Sequence, residues 1–550
     1  MTIVNLNRKV FNKLVGKKLD LDKLKDRISM LGTDLEKVTD DEIIVEIFPN
    51  RPDMLSEQGF ARAFSSFIGV KTGLRNYSVK KFGSQLIVKD PPKEYPYAVA
   101  CIVKGLKLDD EKIREIIQLQ EKLGMTFTRN RKKGGLGLYP LEKIKFPISF
   151  TGKKPEEINF RPLEFPKAIP AKKILSQHPK GREYGHLIED WKKYPVFVDS
   201  NGTIMSMPPI INSHDVGKID EKTTDIFIEG TGPDLNIIKT SLYILATSLS
   251  DMGGQIYSLE IVYPKKEKFD YPDLTPRKMI LDLDYVNKKL GLELNEKDIQ
   301  KLLERMGYDY KNKIVSIPVY RFDILHPIDL VEDIAIAYGY ENFKYEIPSI
   351  STVASESNRE KFFRKVAEVL VGYGLIETVS YHLTNKNEQN VKMDCDIGLV
   401  ELENALTVDY NSCRAWLIPC SLKVLEENKH NEYPQNIFEI GTCFKKDKST
   451  ETGIAEFKRL AVALCNESTD FTRIKQVLDI LAQALDFNYN IEEVEHNSFV
   501  PGRVGRVSVN GKNVAYIGEI HPKVLQNFAL EMPVAALELN LDDLLSVLKF

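Results

Sequence analysis

No two of the six cysteines in this chain form a C-x-x-C pair; Cys101, Cys395, Cys413, Cys420, Cys443 and Cys465 are scattered along it. Zinc sites and disulfide frameworks need paired, regularly spaced thiols. Their absence argues against both and leads us to expect reduced thiols in a cytoplasmic protein. The first residues, MTIVNLNRKVF, lack an apolar signal core, and no long uncharged apolar run occurs anywhere, so neither a secretory signal nor a membrane span is expected. An excess of basic charge is also missing. The net charge is −3, which removes a chain-wide nucleic-acid signal, although 76 Lys and Arg leave room for a local basic face. Low-complexity sequence is absent. What remains is 550 residues with 43% hydrophobic and 28% charged content, an ordinary globular composition. That length suggests roughly three to five domains.

The stretch with the most chemical content is Arg321–Tyr340, RFDILHPIDLVEDIAIAYGY. Asp323, Asp329, Glu332 and Asp333 fall within eleven residues, set among Ile, Leu, Val and Ala. Pro327 followed by Asp329 reads as a helix start with Asp329 at or near the N-cap. Glu332 and Asp333 then follow on the same side, and Asp323 sits at the end of the strand-like run Ile314–Tyr320. Four converging carboxylates would suit a hard divalent cation such as Mg²⁺. Acids in a first helical turn also answer the helix dipole and free N–H groups, without any metal.

A second informative region is 196–263. A hairpin turns at Ser200–Asn201–Gly202, then SMPPIINS leads to the strand IFIEG and to TGPDLNIIKTSLYILATSLSDMGG. Asp234 is a natural N-cap, with Ile238, Leu242, Leu245 and Leu249 as the buried stripe of the following helix. The loop Glu229–Asp234 would bring a Thr hydroxyl, two glycine backbones and free N–H groups to one spot, with Ser206 and Asn212 facing it from a proline-locked turn. Such a pocket fits orienting a water for hydrolysis; a tight structural loop is the plainer alternative. Elsewhere, Arg51 and Asp53 are candidates for a local ion pair, and Asp53 is expected to begin a helix through Phe60, Phe64 and Phe67. TRNRKK at 128–133, beside Gly134, Gly135 and Gly137, is either a phosphate-backbone contact or a solvated loop. Residues 148–194 read as irregular apart from a candidate helix around Pro170–Gln177. Ile314–Tyr320 and the helix capped by Asn295 frame a compact helical unit, and 350–550 alternate strands and helices.

Taken in order, these motifs resemble the β subunit of phenylalanine–tRNA ligase in its archaeal and eukaryotic form. FPNRPDMLSEQGFARAF is similar to the N-terminal module, VFVDSNGTIMSMPPIINS with FIEGTGPDL to the editing domain, RFDILHPIDLVEDIAIAYGY to the junction domain, and SCRAWLIPCSL, IFEIG and GEIHP to the C-terminal synthetase-like module. The resemblance implies a multidomain α+β fold: an N-terminal α+β module (1–95), an α+β editing domain (96–270), a helical junction domain (271–345), and an antiparallel class II synthetase-like sheet module (346–550). It implies an α₂β₂ heterotetramer that attaches phenylalanine to tRNA(Phe) using ATP, with the synthetic site in the α subunit. It also implies editing of mischarged tyrosyl-tRNA(Phe) in a pocket containing Ser206, Asn212, Glu229 and Thr231, and a shared Mg²⁺ at Asp323, Asp329, Glu332 and Asp333. The chain lacks a Gly-x-Gly-x-Gly-x-x-Arg signature, in keeping with a module that does not bind ATP. Two rival readings are a structural, tRNA-binding subunit with a silent editing site, and a stand-alone metal-dependent hydrolase with His326 beside the acids.

Overall fold

A computed structural model describes residues 2–548 of the chain. The chain divides into two compact units, Met1–Ile347 and Pro348–Phe550. No helix among the described residues is long and apolar enough to cross a membrane.

The first unit is built around a ten-stranded sheet. Its hydrogen-bonded order is Ile211–Asn212, Ile204–Met207, Tyr194–Val198, Ile148–Lys153, Val79–Lys89, Gln255–Val262, Tyr97–Lys104, Ile226–Gly232 and Gly135–Pro140, with Lys268–Tyr271 pairing Gln255–Val262 off this path. Two of the nine neighbouring pairs, those made by Val79–Lys89, are parallel. This strand and its pairings set the expected boundary after residue 95 inside a continuous sheet. Ile148–Lys153 is another member, so the stretch expected to be irregular contributes a central strand, followed by the helices Ala171–Gln177 and Pro179–Tyr184. Polar composition had masked a strand whose alternate residues, Ile148 and Phe150, are fully buried.

The helix Leu235–Asp251 packs on the strands Tyr97–Lys104 and Ile226–Gly232 and also meets Glu57–Phe67 and Asp110–Met125. Covered on several sides, it buries Ser241, Thr247 and Ser248 as well as its apolar stripe. Their hydroxyls are satisfied locally: Ser241 and Thr247 donate to the carbonyls four residues back, at 2.8 Å each, and Ser248 meets Ser56 at 3.3 Å.

The N-terminal segment adds a three-stranded sheet and helices whose Phe11, Phe60 and Phe64 rings cluster. The expected helix start at Asp53 is displaced. Asp53 lies in a short 3₁₀ turn with its carboxylate taken by Arg51, and Ser56 caps the helix Glu57–Phe67. The segment expected to be a helical unit is mixed: Leu283–Leu290, Glu296–Arg305 and Pro327–Tyr338 surround an antiparallel sheet of Arg277–Ile280, Ile314–Ile317 and Asp309–Lys311. Ile314–Ile317 lies within the expected strand, whereas Arg277–Ile280 and Asp309–Lys311 are only four and three residues long, too short for a readable alternation.

The second unit holds a seven-stranded sheet, antiparallel except for the edge pair Ile376–Glu377 with Gln435–Lys446. Strand Ile454–Cys465 shows why it reads as a continuous apolar run. Leu460, Val462 and Leu464 face one core with the helices Asn358–Gly372 and Phe471–Leu485, while Ala461, Ala463 and Cys465 face another with Ile418–Asn428. A sheet covered on both faces needs apolar residues at both phases of the alternation.

Candidate functional site

The strand Ile226–Gly232 is buried throughout. Period-two alternation puts Phe227, Glu229 and Thr231 on one face. In the neighbouring strand Gly137 stands opposite Glu229 and Gly135 opposite Thr231. Neither position leaves free room for a side chain, and Gly137 is the tighter. A Cβ on Gly137 would lie 2.4 Å from Glu229 Oε1, and one on Gly135 would lie 3.1 Å from Pro209. Expected to belong to a glycine turn beside a basic cluster, they instead make the floor on which the Glu229 carboxyl rests.

Ser206 and Asn212 come from the far end of the strand order, where they are direct register partners flanking the Pro208–Ile210 turn. They nevertheless reach this floor, because the sheet curls until its two ends meet. Tyr139 closes the gap, with its hydroxyl 3.2 Å from Asn212 Oδ1 and 3.3 Å from Glu229 Oε1, and Asn212 Nδ2 donates to the Leu138 carbonyl at 3.4 Å. Thr231 lies within the strand, not in a loop at the helix N-terminus. The free N–H groups of that helix are taken by Asp234, which accepts from Asn236 and Ile237. The four expected pocket residues are thus brought together by curling of the sheet, not by a helix end.

Burial pushes the Glu229 carboxyl up to about 8, although the Tyr139 hydroxyl pulls it down. The acid is therefore mainly protonated near neutrality. One phenolic hydrogen on Tyr139 cannot serve both acceptors. A protonated Glu229 donating to Tyr139, which in turn donates to Asn212, satisfies the chain. Among the described residues, Ser206 Oγ, Glu229 Oε2 and Thr231 Oγ1 are left buried without a partner, as is Tyr95 Oη. Each such group costs roughly 1–3 kcal/mol when nothing fills its hydrogen-bonding capacity. Glu229 and Asn212 line a cleft of about 550 Å³ whose other walls include Leu136, Leu138, Phe165, Ile211 and Ile219. An apolar cleft of this size with a few converging polar groups is the usual form of a small-molecule site. His178 also lines it, but both ring nitrogens are engaged, one with the Leu163 carbonyl and the other with the Lys180 amide.

The basic stretch 128–133 supplies a residue that its sequence did not single out. Arg129, Asn130 and Arg131 all have positive φ, 53°, 52° and 61°. Three consecutive non-glycine residues in the left-handed region carry strain of roughly 1 kcal/mol or more each. The turn aims Arg131 inward. It donates to the Pro209 and Ile210 carbonyls at 3.0 Å, pairs with Glu121 at 2.8 Å and lies over the Tyr184 ring. It thereby clamps the proline turn that forms the cleft rim.

The junction acids are arranged differently from expectation. Arg321 is almost fully buried and holds Asp323 through two bonds, at 2.9 and 2.7 Å, and Asp333 at 2.7 Å; Asp333 also accepts from Tyr308. The Arg321 charge keeps the Asp323 carboxyl below its usual range despite burial, with Arg51 assisting. Asp329 is the third helical residue, not the cap. His326 caps, and Asp329 Oδ2 reaches back to the Leu325 and His326 amides at 2.7 Å each. Glu332 is exposed and accepts from Tyr340.

A family profile described as "Phenylalanyl tRNA synthetase beta chain CLM domain" matches residues 344–541, and one described as "tRNA synthetase B5 domain" matches 279–340. The phenylalanine–tRNA ligase beta subunit of Pyrococcus horikoshii is 38% identical over 98% of both chains, and that of Thermococcus onnurineus 40% over 90% of this chain and 89% of its own. The chain belongs to the phenylalanine–tRNA ligase beta subunit family. The beta subunit of Archaeoglobus fulgidus is 37% identical over 98% of both. A crystal structure of an N-terminal fragment of the Pyrococcus horikoshii phenylalanyl-tRNA synthetase beta subunit is similar to 61% of this chain and 99% of its own, with 35% identity and a TM-score of 0.58. The chain is thus a component of an aminoacyl-tRNA synthetase, and its family is archaeal in type.

Membership in a synthetase family raises the question of magnesium at Asp323, Asp329, Glu332 and Asp333. A magnesium site needs near-octahedral oxygen ligands. Here a guanidinium already lies between Asp323 and Asp333, one oxygen of Asp329 is spent on two amides, and Glu332 is turned to a tyrosine at the surface. The four do not make a magnesium cage within this chain. Among the described residues, the acids with oxygens close enough to share a cation are instead Asp34, Glu36 and Glu46 on the N-terminal sheet. The acid count in the sequence was sound, but Arg321, two residues before Asp323, was the signal that a fixed organic cation satisfies two of them.

Proposed function

We propose that the chain serves as the β subunit of an α₂β₂ phenylalanine–tRNA ligase and hydrolyses tyrosine mischarged onto tRNA(Phe) in the cleft at Glu229. The observation that carries this reading is Glu229 lining a mainly apolar cleft with its Oε2 unpartnered among the described residues, on the same buried floor as the unpartnered Ser206 Oγ and Thr231 Oγ1. A protonated Glu229 whose Oε2 is unpaired can accept the hydrogen of a phenolic hydroxyl. Phenylalanine would leave it unpaired, and a site built to hydrogen-bond a hydroxyl rejects the analogue lacking it far more strongly than an apolar pocket rejects an added hydroxyl. That asymmetry protects the correct product. With His178 engaged, hydrolysis rests on holding a water beside the ester through Ser206, Asn212 and Thr231.

The second unit supports assigning synthesis to the partner. The antiparallel sheet is in keeping with a class II synthetase-like module, yet two of its arginines are held by glutamates. Arg414 pairs with Glu439 at 2.6 Å and Arg459 with Glu538 at 2.9 Å, and Glu538 also accepts from the Leu417 and Ile418 amides. Triphosphate chemistry needs available cations. The same unit exposes Val379, Tyr381, Leu406 and Val408, each at least 79% accessible. Apolar side chains this exposed over neighbouring segments support an interface with the α subunit. The test is deacylation of tyrosyl-tRNA(Phe) by the αβ complex. Wild type is expected to hydrolyse it and Glu229→Ala to lose most of that activity; equal rates would overturn the editing role and leave a structural, tRNA-binding subunit.

A further inference from the structure

A second pocket, of about 440 Å³, lies behind the cleft, and Arg131 and Pro209 are walls of both. It is bounded by Tyr95 and Trp191, whose rings pack at 5.9 Å and 48°, with Lys132, His186 and Glu94 at its rim. Its residues form no part of the amino-acid cleft except for the shared wall. We propose that it receives the 3′-terminal nucleoside of the tRNA while the ester-linked amino acid occupies the cleft; this rests on the editing reading above.

Four features support the assignment. Tyr95 is buried, yet its hydroxyl has no partner, and it reaches the cleft floor: a Cβ on Gly135 would lie 3.3 Å from it. An unpaired donor at the junction of two pockets fits a ribose hydroxyl or ester oxygen passing between them. Trp191 is half-buried and presents aromatic surface to the pocket, and every nucleobase can stack on such a surface. Arg131 is committed to the two carbonyls and Glu121, whereas Lys132 and His186 are exposed and make no ion pair or side-chain hydrogen bond among the described residues. They are the groups available to a phosphate. Glu94 supplies an acceptor for a base amino group or ribose hydroxyl. A ligand that is flat on one side, anionic on another and hydroxylated where it meets the cleft is a nucleotide.

Adenosine 5′-monophosphate is the probe. The chain has two tryptophans, and Trp416 is buried in the second unit, so in the full-length Trp416→Phe variant emission reports Trp191 alone. Saturable quenching is expected, with the affinity reduced roughly tenfold by Lys132→Ala. In the αβ complex, Trp191→Ala should raise KM for tyrosyl-tRNA(Phe) about tenfold with kcat within twofold, and Trp191→Phe should restore it; stacking on one aromatic is worth about this factor. Lys132 is exposed, so Lys132→Ala keeps the test valid if Trp191→Ala fails to fold. Absence of quenching together with an unchanged KM in an active complex overturns the proposal. If the complex does not deacylate at all, the editing reading falls, while quenching still decides the pocket: saturation upholds a nucleoside site and its absence sinks it.

Discussion

At the scale of single residues, Glu229 is the group whose behaviour is most open to measurement. Its carboxyl is raised to about 8 in the folded chain from an ordinary 4.5. Below the lower value both folded and unfolded states are protonated, and no stability is lost. Between the two values the unfolded chain gives up its proton while the folded one keeps it, so stability falls as pH rises and levels off above about 8. Glu229→Gln removes this dependence. Thermal unfolding should show similar stability for the two proteins near pH 4 and a gap favouring Gln by pH 8, on the order of a few kcal/mol. A gap that does not grow with pH would mean that the carboxyl is already ionised in the fold. Gly137→Ala tests the floor. Its Cβ cannot coexist with the present Glu229 position, so we expect a cost of roughly 1–3 kcal/mol and a loss of deacylation greater than that loss of stability explains.

Elements are held in place by cations that are not metals. The strained turn at 129–131 exists to deliver Arg131 to the proline turn, and the end of strand Ile314–Ile317 and the helix Pro327–Tyr338 are tied by Arg321. Removing one partner of a buried ionic group leaves the others uncompensated. Arg321→Ala is expected to destabilise the first unit by roughly 3–5 kcal/mol, whereas a chelator should leave the unfolding temperature of the wild-type chain unchanged. Chelator-sensitive unfolding would restore a metal at the junction acids. Arg131→Ala should free the Pro208–Ile210 turn, raise KM for the mischarged substrate, and leave the unfolding of the second unit untouched.

At the scale of the whole molecule, the chain combines a first unit that carries the cleft with a second that exposes Val379, Tyr381, Leu406 and Val408. Val379→Asp combined with Leu406→Asp should weaken co-purification with the α subunit and abolish phenylalanine charging, while leaving the circular dichroism of the isolated chain unchanged. Full charging by α subunit alone would show that the β chain is not required for synthesis.

Local rules determined several caps and the hairpin turn: Asp234 and Asn295 cap where their spacing placed them, and Gly202 turns the hairpin, whereas the starts expected at Asp53 and Asp329 moved to Ser56 and His326. The order of its motifs also identified the family. The candidate residues Ser206, Asn212, Glu229 and Thr231 were legible for the same reason, but not the manner of their meeting. That depends on a sheet curling until strands at opposite ends of its order touch, a long-range register that no local pattern encodes. Gly137, Tyr139 and Arg131 were missed because their roles are defined by what faces them. The four acids show the converse. Their spacing was visible in the sequence, but only the tertiary structure decided that the Arg321 guanidinium lies between Asp323 and Asp333, because Asp333 reaches it from a helix twelve residues further on.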